Sequence, residues 1–505
     1  MRTSNALKNI SLGLITRLLS LGLTLFVTPL IFNSLGKDLY GINALITQTI
    51  GYLGLAELGI GASVILVLYK TIALKDVYAS NRILAAANLV YRYVGSFIFF
   101  TGLITSFWLD DFFSIPNNLQ QLTQVCFLIY LGKSAISYFF SIPVIALGAA
   151  QKSYKIAWLE LISSPLVLLL NYVAIKSGYS LLGMAIISFA VGSIILMFQN
   201  KIAFKILPWI DLSNAEKDFS PLKTTKYVFI DKLLVLGVFQ TDYILISFFL
   251  GPKYVASYAL YTTLFNILRE MSYLSLGYLS SGVGEMFVKD LKDGVFQLWK
   301  EVLSFIIYIV AISLPILYYL IPKFVMLWVG EHAVLSNSIL IFFLVNFTYL
   351  LIVGVSTVFV NAFGFFKERM KGSLMELLLN IFFSIILIPK MGVLGATIGT
   401  AIGHLSVNSW FIPQLFFKSI NKNFRLYFTF LLRYTPIILL ILLSTYAMNE
   451  FVVVPFLNKV SWMNLITSGG LFFITSLACV GSYGYFDANF RSLLSRFYVL
   501  YRLRR

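Results

Sequence analysis

Apolar segments of bilayer-crossing length alternate with short polar loops along almost the whole chain, and every second loop is rich in lysine and arginine. The hydrocarbon core of a membrane is about 30 Å thick, so a helix needs about 20 apolar residues to cross it. Fourteen crossings are predicted, near 9–33, 40–69, 83–108, 119–148, 155–176, 180–200, 226–250, 255–285, 299–321, 336–363, 372–389, 392–417, 427–448 and 462–485. Of the 505 residues 59% are hydrophobic and 12% charged, where a soluble domain carries about a quarter charged. A soluble fold is therefore excluded, and the chain reads as an all-α polytopic membrane protein.

Charge fixes the expected orientation, because short cytoplasmic loops collect Lys and Arg. Lys70, Lys75 and Arg82, then Lys201, Lys205 and Lys217, then Lys367, Arg369 and Lys371 fall in alternate loops, while the intervening loops hold about one lysine each, such as Lys37, Lys176 and Lys390. The rich loops and the tail with Arg491, Arg496 and Arg502 are expected in the cytoplasm, with both termini inside. The net charge of +17 is then topological, and no nucleic-acid partner is expected. Cys126 and Cys479 lie in apolar segments without metal-type spacing, so no disulfide framework, metal or cofactor is expected. The N-terminal segment runs straight into a long first span and reads as an uncleaved helix. The longest polar stretch, about 201–225, reads as a linker between halves and a place for an interfacial helix carrying Trp209.

The chain also matches itself. LGKDLYGINAL (35–45) aligns with LGPKYVASYAL (250–260), and ALGAAQKSYKIAWLEL (146–161) aligns with AFGFFKERMKGSLMEL (362–377). Leu182–Gly183 likewise pairs with Leu394–Gly395, and the three separations agree within a few residues, at 212–216. The predicted architecture follows. Residues 1–205 form an N-lobe of six helices, 206–225 a linker, 226–418 a pseudo-symmetric C-lobe of six helices, and 419–505 two further helices with a basic tail. Parallel repeats of this kind are used by secondary transporters that work by alternating access.

The matched residues also carry a resemblance. TPLIFNSLGKDLYGI, AELGIGASVILVLYK, IPVIALGAAQKSYK, QTDYILISFFLGPKYVASYAL, LWVGEHA and VNAFGFFKERMKG, in this order, resemble Wzx-type polysaccharide flippases of the multidrug/oligosaccharidyl-lipid/polysaccharide (MOP) exporter superfamily. The resemblance implies a MATE-like two-lobed fold around a cationic cavity. It also implies transfer of undecaprenyl-pyrophosphate-linked oligosaccharide from the cytoplasmic to the periplasmic leaflet of the bacterial inner membrane. The implied partners are membrane lipids, a coupling H+ or Na+, and a polysaccharide polymerase with its chain-length regulator. A lipid II flippase and a MATE-like multidrug antiporter stand as alternatives. An enzyme is not expected: the loops are short, and no Walker A or metal cluster occurs.

A charge at bilayer depth costs at least ~2.5–3.5 kcal/mol, so each one is a candidate for function. Arg17, Lys133, Arg269 and Arg92 are the candidates for binding a pyrophosphate, with Arg17, among leucines, the foremost. A guanidinium fork matches two phosphate oxygens at once. The competing reading for each is an intramembrane ion pair or a snorkelling side chain. Asp242, beside Gln240 and Thr241, together with Glu57 and His404, are the candidates for ion coupling or for counter-ions. Glu160 and Glu376, equivalent in the repeats, are expected to pair with nearby loop lysines.

Overall fold

The structure is a computed structural model. It describes residues 2–53, 61, 64–65, 67–69, 71–72, 74–213, 215–220, 226–277, 279–485, 487–493 and 495. Within those helices the side chains of 2–15, 17–18, 53, 112, 226, 228–229, 271, 273–277 and 279–282 fall outside the description. Among the described residues the fold is helical with no strand, and eleven helices are long and apolar enough to cross a membrane.

The chain divides into two compact units, residues 1–259 and 260–505. The first is built from α1 (Arg2–Leu53), α2 (Val77–Thr105), α3 (Gln120–Ala149), α4 (Tyr154–Lys176), α5 (Ser180–Ile206) and α6 (Lys226–Leu250). The next helix, α7 (Pro252–Gly277), contains the division. The second unit continues with α8 (Leu279–Val288), α9 (Lys292–Trp328), α10 (Asn337–Ala362), α11 (Phe366–Met391) and α12 (Val393–Gly403). It is completed by α13 (Ser409–Ser419), α14 (Arg425–Arg433), α15 (Thr435–Met448) and α16 (Trp462–Gly484). Helix α6, expected at the start of the second lobe, groups with the first unit: it packs on α1 and on the short helix Leu109–Phe113. Ser247 Oγ donates to the Phe113 carbonyl at 2.7 Å, and Ser114 Oγ to that of Phe248 at 2.9 Å.

The first two predicted spans begin as one helical run. It bends at Gly36, whose φ of 74° and ψ of 173° only glycine adopts without strain. The linker differs from expectation. Residues 207–213 and 215–219 form turns, bends and extended chain rather than an interfacial helix. They are pinned to the start of α2, where the Asn81 amide donates to the Trp209 carbonyl and accepts from the Asp211 N–H. Once those backbone groups are bonded to Asn81, the segment has no need of a helical turn to satisfy them.

In the first unit α3 and α4 pack against α5; in the second, α10 and α11 pack against α12, matching the predicted repeat. The α11–α12 hairpin is the tightest of these contacts. It reverses at Gly392 (φ 63°), and Gly395, Gly399 and Gly403 recur every fourth residue along one face of α12. A Cβ at these positions would strike, in turn, the backbone of Leu387, the backbone and hydroxyl of Ser384, and the carbonyl of Glu376. The glycines thus let two membrane helices meet backbone to backbone, as small residues spaced by four do. In the same unit a Trp299-centred aromatic cluster joins Phe416, Phe417 and Phe430 at centroid distances of 5.1–5.5 Å. Buried Asp487 then ties the segment after α16 to the unit, its Oδ2 accepting from Tyr308 and Tyr434 hydroxyls at 2.9 and 2.7 Å.

Candidate functional site

Lys133 sits near the middle of α3, far from either helix end. Its stem lies over Gly192 of α5, where a Cβ would stand 2.9 Å from Lys133 Cε. The glycine gives the lysine its room. The side chain enters two adjoining cavities of about 500 and 340 Å³, both of which also touch Gly192 and Ile195. Their other walls are apolar, with Ile50, Ile136, Leu196, Val167 and Leu168, interspersed with hydroxyls: Ser20, Thr24 and Thr47 from α1, Ser134 and Ser137 from α3, Ser163 and Ser164 from α4, and Ser188 and Ser193 from α5. Tyr130 and Gln199 complete the polar lining. Lys133 is the only charged side chain among the described residues that line them.

Among the described residues Lys133 has neither a hydrogen-bond nor an ion-pair partner. An ammonium at this depth without a counter-ion is sustained only where water or a ligand reaches it. The hydroxyls around it supply both donors and acceptors, which suits an anion flanked by sugar hydroxyls.

The other candidates are dispersed. Arg92 is exposed on α2 and lines neither cavity. Arg17 lies within α1 with its side chain outside the described residues, and Glu57 lies outside them altogether. Arg269 is half-buried on α7, in the second unit. Asp242 is buried in the first unit, its Oδ2 accepting from the Tyr258 hydroxyl at 2.7 Å, while the Tyr258 ring packs edge-on against Tyr243.

His404 is buried, and its partner corrects an expectation. Glu376 does not pair with a loop lysine: its carboxylate is hydrogen-bonded to His404 Nδ1 and accepts from the Asn408 amide. The Tyr349 hydroxyl donates to the same carboxylate at 3.2 Å. The Tyr349 ring also stacks on His404, centroids 4.1 Å apart. Residues 404–408 form a π-helical turn between α12 and α13, and both His404 and Asn408 belong to it. The hairpin explains why a lysine loses: Glu376 and His404 are equally distant from Lys390 at its tip, so folding brings them face to face. The glycine ridge and that symmetry were the signals available in sequence. Glu160, its repeat equivalent, is exposed on α4 and stands beside Gln199.

No family model and no curated protein matches the chain. Solved structures do. A lipid II flippase, MurJ, in an inward closed conformation, superposes with a TM-score of 0.69 at 15% identity, covering 93% of this chain and 98% of that one. An inward-facing multidrug resistance MATE family transporter of the MOP superfamily gives 0.60 at 15% identity, covering 80% and 97%. A point mutant of the Vibrio cholerae MATE transporter VcmN gives 0.60 at 15%, covering 84% and 99%. The chain is thus a multi-pass membrane protein with the fold that MurJ and the MATE transporters share.

Proposed function

We propose that the protein is a flippase. It moves a polyprenyl-pyrophosphate-linked oligosaccharide from the cytoplasmic to the outer leaflet of a bacterial cytoplasmic membrane by alternating exposure of its site, coupled to an ion gradient. The observation that carries this reading is Lys133, a cation with no partner among the described residues, in cavities whose polar groups are mainly hydroxyls. The phosphoanhydride meets the ammonium, the sugars meet serine and threonine, and the hydrocarbon chain stays in lipid. Arg17 precedes Ser20 and Thr24 by three and seven residues, the spacing of one helix face. That register supports its place beside the same site. A MATE-like exporter of organic cations fits less well, because a lysine with no counter-ion among the described residues repels its cargo. Lipid II is the second reading. It shares the polyprenyl pyrophosphate, and a lipid II flippase gives the TM-score of 0.69 over 93% of the chain.

The test is rescue of hosts lacking either their own O-antigen or capsule flippase or their lipid II flippase, with membrane expression verified. Restored surface glycan by the wild-type chain, lost in Lys133→Ala, supports the first reading. Restored growth in the lipid II host alone moves the substrate to lipid II. Rescue of neither, with drug efflux gained, overturns both.

A further inference from the structure

The repeat relates the lysine site to a second locus of opposite chemistry. A separation of 216 residues relates Glu160 to Glu376 and also Lys133 to Tyr349; 212 relates Leu182 to Leu394 and also Gly192 to His404. In the first unit Lys133 lies over Gly192; in the second, Tyr349 stacks on His404. The same contact between equivalent helices therefore holds a cation in one unit and a carboxylate–imidazole pair in the other.

We propose that Glu376 and His404 together hold one exchangeable proton, and that this proton is the ion to which transport is coupled. Coupling rests on the transporter reading above; the proton site does not.

Both side chains are buried, at 4% and 1% exposure, so charge must balance locally. With one proton shared between them the pair is neutral overall, whether written as carboxylate and imidazolium or as carboxyl and imidazole. Releasing that proton to water on one face leaves one negative charge; rebinding from water on the other restores neutrality. No other group on the helices around the pair can take the role. Helix α10 carries Tyr349 and no Asp, Glu, Lys, Arg or His. The run from α12 to α13 carries only His404 and, near its far end, Lys418. On α11 Lys371 lies five residues before Glu376, and Arg369, seven residues before it, is bonded to the Asn361 amide oxygen at 2.7 Å; Lys367 and Glu368 lie at the start of that helix and Lys390 at its far end.

Two features make the proton exchangeable rather than merely structural. The π turn that carries His404 and Asn408 is a wound-in extra residue, a common device at functional sites. Returning it to regular α-helix rotates both donors relative to Glu376. Tyr349 in turn faces two ways: it holds the pair and also walls a mainly apolar cavity of about 790 Å³ with Tyr318, Tyr319, Ile341, Leu344 and Leu405. Tyr349 is the positioning residue through which a change in that cavity reaches the pair.

Infrared difference spectroscopy of the purified full chain across a pH titration tests this without any substrate. The expected result is a coupled carboxyl and imidazole change that is lost together in Glu376→Gln and in His404→Gln, and retained in Asp242→Asn. Tyr349→Phe, which keeps the ring and removes one donor, shifts its midpoint and serves if either variant fails to run as a single species. A spectrum unchanged by Glu376→Gln, His404→Gln and Tyr349→Phe, or two changes deleted independently, overturns the proton site. Glycan rescue in the same variants is read separately. A titrating pair whose variants nonetheless transport at the wild-type rate, insensitive to a protonophore, overturns the coupling. A titrating pair in a protein that rescues no flippase host leaves the site standing and removes the flippase reading.

Discussion

At the scale of single residues, function turns on what each buried charge is given. Lys133 is given space and hydroxyls; Glu376 is given three donors; Asp242 is given a tyrosine. A hydrogen bond to a charged group contributes about 1.5–3 kcal/mol, so Lys133→Ala should weaken pyrophosphate-ligand binding about ten- to a hundredfold, read by isothermal titration or lipid-analogue competition. Lys133→Arg should retain more than Lys133→Gln if the ligand is the proposed anion. Gly192→Val should mimic part of the loss by crowding the lysine stem. The lysine itself was legible in sequence as a mid-span cation. Its neighbours were not, because they come from four helices, and serine or threonine in a membrane helix is as often bonded to its own backbone. Thr24, on the cavity wall, donates to the Ser20 carbonyl at 2.8 Å while still lining the site.

At the scale of elements, glycine spacing decides which helices touch. Gly399→Leu should force α11 and α12 apart, since even a Cβ there collides with Ser384. Overpacking costs typically about 1–3 kcal/mol; here the obstacle is backbone, and the thermal midpoint of the detergent-purified protein should fall by several degrees. Gly36→Ala should cost about 1 kcal/mol for its left-handed φ, by the same measurement. The helices themselves were the most legible part. The span expected at 226–250 is α6 residue for residue, and α5, α10 and α16 differ from expectation only at their ends. Long apolar runs have no alternative in a bilayer. The bend at Gly36 falls in the polar break between the first two predicted spans, whereas the π turn that interrupts the twelfth span leaves no gap in its apolar run and was illegible. The non-helical linker was missed because its partner, Asn81, is 128 residues from Trp209.

At the scale of the whole molecule, the alternation of charged loops makes a topological claim. Cys126 is buried and Cys479 half-buried, so a membrane-impermeant maleimide should leave intact wild-type cells unlabelled. Lys217→Cys, in the exposed linker, should label only after the cells are opened; labelling from outside would invert the assigned orientation. The repeat was legible from three short matches, and it survives as equivalent packing rather than equivalent chemistry. On the proposed reading the units divide the labour, an anion-attracting site in one and a proton-holding pair in the other.

Asp487 has a bearing on the order in which the chain matures. It leaves the ribosome 179 residues after Tyr308 and 53 after Tyr434, yet both tyrosine hydroxyls donate to its carboxylate. Ser492 likewise bonds Glu301, 191 residues upstream. Until that late segment arrives, the Tyr308 hydroxyl on α9 and the Tyr434 hydroxyl before α15 lack this acceptor, a natural client state for an insertase or chaperone. The second unit therefore closes after translation of its helices is complete, and a nascent chain stalled before residue 487 should remain protease-sensitive where the released one is not.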